Sequence, residues 1–152
     1  MIAAGEKAPD FRGIDQNGNQ ISLSSLKGKK VVLYFYPKDD TPGCTAQACN
    51  LRDNYDVLLK KGFQVVGVSV DSVESHKKFE TKFGLPFPLI ADTDRKIVSQ
   101  YGVWGEKKFM GRTFDGTHRT TFLIDEKGIV HHVITKPKTK EQAEQIIEIW
   151  KD

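Results

Sequence analysis

Six consecutive residues, Val31-Val-Leu-Tyr-Phe-Tyr36, are apolar or aromatic, and Pro37 stops the run. A short stretch rich in β-branched and aromatic side chains, closed by a residue that cannot continue a ladder, reads as a buried strand. A buried strand has to be covered, so the rest of the chain must supply layers to pack against it. Downstream, helical and extended patterns alternate. Thr41-Pro-Gly-Cys44 opens a helix with an apolar stripe of Ala48, Leu51, Tyr55 and Leu58, which Gly62 ends. Gln64 to Val70 is a second strand. Ser72 caps a helix in which Phe79 and Phe83 lie one turn apart before Gly84. Pro88 to Ala91 is a short third strand, and a helix from about Asp94 to Tyr101 buries Ile97, Val98 and Tyr101.

Hairpins bracket this alternating centre. Phe11 to Leu23 folds back at Asn17-Gly18, residues that tolerate a positive φ. Arg119 to Ile124 and Gly128 to Ile134 pair around Asp125-Glu-Lys-Gly128. A last helix carries a capping box at Thr139 and Gln142 and an apolar stripe of Ala143, Ile146, Ile147 and Trp150. Trp104 to Gly116 has no clear period and reads as a loop. The expectation is an α/β protein with a central mixed sheet and helices on both faces, in one domain spanning residues 1–152.

Composition narrows the function. A formal charge of +3, with basic and acidic residues interleaved, provides neither the basic stripe nor the reader motif of a nucleic-acid partner. The N-terminus, Met1-Ile-Ala-Ala-Gly-Glu6, has no basic and apolar leader pattern, and no apolar run approaches the roughly 20 residues of a membrane helix. A cytoplasmic protein is expected. Two cysteines, Cys44 and Cys49, are too few for a disulfide-stapled secreted domain. In a reducing compartment such a pair points to thiol chemistry.

Cys44 lies in the first turn of its helix, facing unpaired backbone N–H groups and the positive end of the helix dipole. Both favour thiolate. Lowering a thiol pKa from about 8.5 to about 6 raises the ionised fraction at pH 7 from roughly 3% to roughly 90%. Peroxide chemistry also needs donors for the departing oxygen. Thr41 is spaced to hydrogen-bond thiolate and peroxide together, and Pro37 and Pro42 stiffen the loop, with Pro37 shielding the sulfur. The missing cation is best supplied by Arg119, at the start of a later strand.

Pro37-x-x-x-Thr41-x-x-Cys44 resembles the signature of peroxiredoxins. The longer Tyr34-Phe-Tyr-Pro-x-Asp-x-Thr-Pro-Gly-Cys-Thr stretch is similar to the bacterioferritin comigratory protein, or peroxiredoxin Q, branch. Ala8-Pro-Asp-Phe11, Gly102-Val-Trp-Gly-Glu-Lys107 and Arg119-Thr-Thr-Phe-Leu-Ile-Asp125 extend the likeness over essentially the whole chain. The resemblance implies a thioredoxin-like fold, with Cys44 as peroxidatic cysteine and Pro37, Thr41 and Arg119 completing its site. It further implies Cys49 as resolving thiol, hydroperoxide substrates, and thioredoxin or a similar dithiol as reductant. No cofactor or metal is called for, and a monomer is expected. Gln47 stands where many members carry Glu, removing one negative charge near the site.

Other readings compete. Cys44 could be an inert core cysteine, Cys49 purely structural, and Arg119 paired with a surface carboxylate. His131-His132 looks like a ligand pair, but neighbouring strand residues face opposite ways, so one packed and one solvated His are expected. Trp104, Phe109, Met110 and Phe114 are expected to fold back onto the core, with a hydroperoxide entry or a reductant dock as alternatives. A thioredoxin-type oxidoreductase would carry Cys-x-x-Cys, whereas four residues intervene here. A structural zinc site would need a second pair of ligands. A redox sensor using the same thiol differs from an enzyme only in not turning over.

Overall fold

The computed structural model describes residues 1–151. Strand β3 (Lys30–Phe35) is central, as its composition requires. On one side β4 (Phe63–Ser69) and β5 (Leu89–Ala91) run parallel to it. On the other, β8 (Thr120–Ile124) is antiparallel to β3, and β9 (Val130–Ile134) is antiparallel to β8. The order β5-β4-β3-β8-β9 makes the expected mixed sheet. Before it, β1 (Arg12–Ile14) and β2 (Gln20–Ser22) form the N-terminal hairpin, whose turn is held by the Asp15 carboxylate accepting from the Asn17 and Asn19 amides.

Alternation along β3 divides the core. Val32 and Tyr34, with Tyr36 just beyond the strand, face a cluster built from α1 (Pro42–Asp53), α2 (Tyr55–Lys60), α3 (Val73–Phe83) and α5 (Gln142–Ile149). Val31, Leu33 and Phe35 face the other cluster, which includes Phe11, Leu23 and the α4 helix (Lys96–Gln100) with Ile97 and Val98, followed by Tyr101. Ser72 caps α3 by accepting from the Ser75 amide, and Gly84 closes it in the left-handed conformation. Among the described residues no helix is long and apolar enough to cross a membrane.

Five local expectations need correction. Trp104 to Gly116 is not a loop: β6 (Trp104–Phe109) pairs antiparallel with β7 (Arg112–Thr117) in a separate two-stranded sheet. Its turn places both Met110 (φ 51°) and Gly111 (φ 77°) in the left-handed region. The hairpin buries little of either face, so its sequence shows no alternation. Its tip does not fold back: Phe109, Met110 and Phe114 are exposed, and only Trp104 packs against the core.

The helix expected to run to Gly62 breaks at Asn54 (φ −109°, ψ 13°), where the side-chain amide donates to the Asn50 carbonyl at 2.9 Å and competes with regular helix. The apolar stripe survives the break, with Ala48, Leu51 and Leu58 buried and Tyr55 packed against Phe87. The capping box at Thr139 and Gln142 does not form. Thr139–Glu141 make a short 3-10 turn, and the Ala143 amide in the first turn of α5 is met from another helix, by Asn50 Oδ1 at 2.7 Å. His131 and His132 are both exposed, His131 stacking on Trp150 with ring centroids 4.0 Å apart.

Candidate active site

The five residues from Pro37 to Thr41 carry the chain from the end of β3 to the start of α1. Thr41 sits at the N-cap with extended backbone, and Pro42 takes the first helical position, where its missing N–H is no loss. Cys44 follows within the first turn and is almost fully buried, at 1% exposure. The Thr41 hydroxyl donates to the Lys38 carbonyl at 2.9 Å, so its donor is spent within the loop and not on Cys44. Pro37 lies half-buried on the same loop.

Strand direction brings in the cation. Because β8 runs antiparallel to β3, Thr120 pairs with Phe35, and Arg119, just before β8, lies at the end of the sheet where β3 hands over to the loop. Its Nη2 donates to Cys44 Sγ at 3.4 Å and its Nη1 to Gln47 Oε1 at 2.7 Å. Gly43 makes room: a Cβ there would stand 3.0 Å from Arg119 Nη2. A guanidinium only donates, so it fixes which end of the Gln47 amide faces it. The opposite end, Nε2, donates to Gln142 Oε1 at 2.9 Å, which also accepts from Thr121 Oγ1 at 2.7 Å. Gln142 Nε2 passes on to Gln145 Oε1 at 2.8 Å. Gln47, Gln142 and Thr121 are fully buried, so this chain of amides anchors Arg119 from inside the protein.

Reading the sequence finds Arg119 and Gln47 but misses the anchoring role of Gln142, whose apparent place in a capping box hides it. Lys107 of β6 is also missed. Its Nζ donates to the Thr117 carbonyl at 3.0 Å. Burial and then the charge of Arg119 lower its pKa, with Cys44 pulling the other way. Beneath the site, Tyr34 is wholly buried and its hydroxyl has no partner among the described residues. Burial pushes that phenol far up, and the charges of Cys44 and Asp39 add to the effect while Arg119 opposes it.

Cys49 lies five residues along the same unbroken helix and is partly exposed; both thiols are free. The structure thus brings Cys44, Arg119 and Gln47 into contact. Thr41 and Pro37 stand on the adjoining loop, and Cys49 faces away by helix geometry. A buried sulfur at a helix start, touched by a guanidinium, is suited to nucleophilic attack on a substrate that leaves as an anion.

Residues 4–133 match the AhpC/TSA family. The chain belongs to that family. It is a peroxiredoxin, a thiol-dependent peroxidase. Among curated relatives, peroxiredoxin Bcp of Escherichia coli (strain K12) is 46% identical over 151 residues, covering 99% of this chain and 97% of the relative. Peroxiredoxin Bcp of Bacillus subtilis (strain 168) is 42% identical, covering 99% and 96%. Peroxidoxin BcpB from Mycobacterium tuberculosis superposes with a TM-score of 0.86 at 32% identity, covering 98% and 96% of the two chains. The bacterioferritin comigratory protein of Xanthomonas campestris, solved as trapped intermediate and ligand complexes bearing on its alkyl peroxide reduction, gives 0.85 at 34% identity, covering 91% and 88%. The mixed sheet flanked by helices is the peroxiredoxin variant of the thioredoxin-like fold.

Proposed function

We propose that Cys44 is the peroxidatic cysteine and that the chain reduces hydrogen peroxide and organic hydroperoxides with it. The carrying observation is the Arg119 guanidinium 3.4 Å from the sulfur of a cysteine in the first turn of a helix. In the reaction proposed, the thiolate attacks the peroxide oxygen remote from the organic group. The S–O bond forms as the O–O bond breaks, and the bonding pair leaves with the alkoxide or hydroxide. That anion takes a proton from solvent, giving alcohol or water, while Cys44 becomes a sulfenic acid. Arg119 offers N–H groups to the charge that develops on the leaving oxygen. The Thr41 hydroxyl retains acceptor capacity for the peroxide proton, and Pro37 walls the sulfur.

Cys49 is the proposed resolving thiol. Its thiolate attacks the Cys44 sulfur and expels hydroxide, which is protonated to water, leaving a 44–49 disulfide. A thioredoxin-type dithiol then exchanges with that disulfide and is itself oxidised. This reductant is supported by membership of the family, and the organic hydroperoxide substrate by the alkyl peroxide reduction studied in the Xanthomonas relative. Five helical residues separate the two Cα atoms by about 8.6 Å, beyond the roughly 7 Å a disulfide allows. Resolution therefore requires α1 to unwind from about Cys44 to Asn50. We further read the whole chain as one domain, acting as a monomer in the cytoplasm, a compartment that suits two free thiols.

A coupled assay with thioredoxin, its reductase and several hydroperoxides tests the reading. Turnover is expected in the wild type and absent in Cys44→Ser. Cys49→Ser should still form the sulfenic acid with one equivalent of peroxide, seen by mass spectrometry, but lose thioredoxin-linked recycling. Full turnover by Cys49→Ser would remove the resolving role from Cys49.

A further inference from the structure

The loop that leads to Cys44 is held from below by a buried polar cluster to which no role has been assigned. His76 of α3 is fully buried. Its Nε2 lies 2.9 Å from the Ile90 carbonyl oxygen, and its Nδ1 lies 2.7 Å from Asp39 Oδ2. A carbonyl oxygen can only accept, so Nε2 carries hydrogen. Nδ1 and the Asp39 carboxyl then share a second hydrogen between them, as imidazolium beside carboxylate or imidazole beside carboxylic acid. Asp39 is met on every side. Oδ1 accepts from the Tyr36 hydroxyl at 2.6 Å, and Oδ2 also accepts from Ser75 Oγ at 2.8 Å. Its backbone N–H donates to Asp71 Oδ2 at 2.9 Å, an oxygen that also takes Ser69 Oγ at 2.6 Å. Groups following β3 and β4 or lying on β4, β5 and α3 thus converge, directly or through His76 and Asp71, on one residue of a five-residue loop.

Closing a surface turn does not require this. Withdrawing a carboxyl and an imidazole from water costs several kcal/mol unless every polar atom is satisfied. What such an arrangement secures is position. The next residue, Asp40, is held at φ 57°, in the left-handed region that non-glycine residues avoid, and Thr41 then turns into the N-cap of α1. We infer that the Asp39–His76 pair is a positioning clamp that sets the Pro37–Thr41 loop, and through it the register of Cys44 against Arg119, for reaction with peroxide. The inference rests on the assignment of Cys44 as the reacting thiol.

Two substitutions at one position separate the clamp from simple packing. His76→Gln keeps an amide where Nε2 was, bonded to the Ile90 carbonyl, and withdraws the partner of Asp39. His76→Asn keeps an amide nitrogen where Nδ1 was, still facing Asp39, and drops the Ile90 bond. Both remove the same ring, so both lower the unfolding midpoint. The readout is the rate at which one equivalent of hydrogen peroxide converts Cys44 to sulfenic acid, followed by quenched-flow mass spectrometry. His76→Gln should be about tenfold or more slower than wild type, and His76→Asn within about threefold of it, since small displacements of reacting groups cost large factors in rate. Equal rates in the two variants, or a slower His76→Asn, overturn the clamp. Tyr36→Phe removes one bond to Asp39 and no carbon atom, so it covers the case in which the His76 variants do not fold. It should fold with a lowered melting temperature, because a buried Asp39 oxygen loses its donor, and react about threefold slower; an unchanged rate counts against the clamp. Wild-type protein in which Cys44 stays reduced while peroxide is consumed would instead remove the Cys44 assignment, an outcome distinct from any of these.

Discussion

Two segments deliver the two side chains that meet at the site, and they are built by opposite means. The Pro37–Thr41 loop leads to Cys44, and the β6–β7 hairpin leads to Arg119. Each contains a non-glycine residue with positive φ, Asp40 at 57° and Met110 at 51°. Around Asp40 the backbone is fixed by the neighbouring buried Asp39, while Asp40 itself makes, among the described residues, only an exposed ion pair with Lys82 at 2.8 Å. Among the described residues nothing buried supports Met110, and the two-residue turn is set by its own geometry and by Gly111. The same local cost is thus borne by tertiary structure in one segment and by turn chemistry in the other. Sensitivity should follow: changes near the loop should appear in the chemistry, and changes in the hairpin tip only in stability.

The largest effect expected of that contrast is at the contact itself. Arg119→Ala should slow Cys44 oxidation about a hundredfold, the usual cost of one lost donor to a developing anion. Arg119→Lys should recover little, for want of a fork that reaches Sγ and Gln47 Oε1 together. A stopped-flow series over pH checks this, and a variant that regains the wild-type rate at high pH would limit Arg119 to favouring the thiolate. Next comes the disulfide form. Amide hydrogen exchange across residues 44–55 should quicken by about tenfold or more relative to the reduced protein, as local opening requires, while β6 and β7 stay unchanged. Equal protection in both forms, with the bond confirmed by mass spectrometry, would refute unwinding.

Gly43→Ala should act in two directions. The added Cβ crowds Arg119 Nη2 at 3.0 Å and should slow oxidation about threefold to tenfold. The same change favours helix by up to about 1 kcal/mol, so the melting temperature should hold or rise while the rate falls. A loss of both would point to general disruption of α1. Smallest of all, Met110→Asn suits the left-handed turn position and should add about 0.5–1 kcal/mol in urea denaturation, leaving peroxidase turnover untouched. Altered turnover there would end the division between loop and hairpin.

How much the sequence reveals depends on what makes each element form. The strands of the main sheet and the apolar faces of the helices are legible because burial dictates their residues, as at Val31–Tyr36 and at Ala48, Leu51 and Leu58. The β6–β7 hairpin is illegible because it has so little buried face to write a period, and its only signal is Met110-Gly111. The site divides likewise. Cys44 and Arg119 are recognisable by residue type and context. Gln142 is not, because a buried amide partner 95 residues from Gln47 is specified by the finished packing and by no local pattern. Asp39 reads as an ordinary turn residue until His76 is seen beneath it.

The antiparallel pairing of β8 with β3 also has a consequence in time. Cys44 leaves the ribosome well before Arg119, which follows 75 residues later. Until β8 docks beside β3 the thiol has no guanidinium, and until α5 packs Gln47 has no Gln142. On the proposed role of Cys44, a nascent or unfolded chain therefore carries its cysteine without that guanidinium, and the enhanced reactivity toward peroxide is acquired only with the closing strands of the sheet. In that reading, peroxidase activity reports that the sheet has closed.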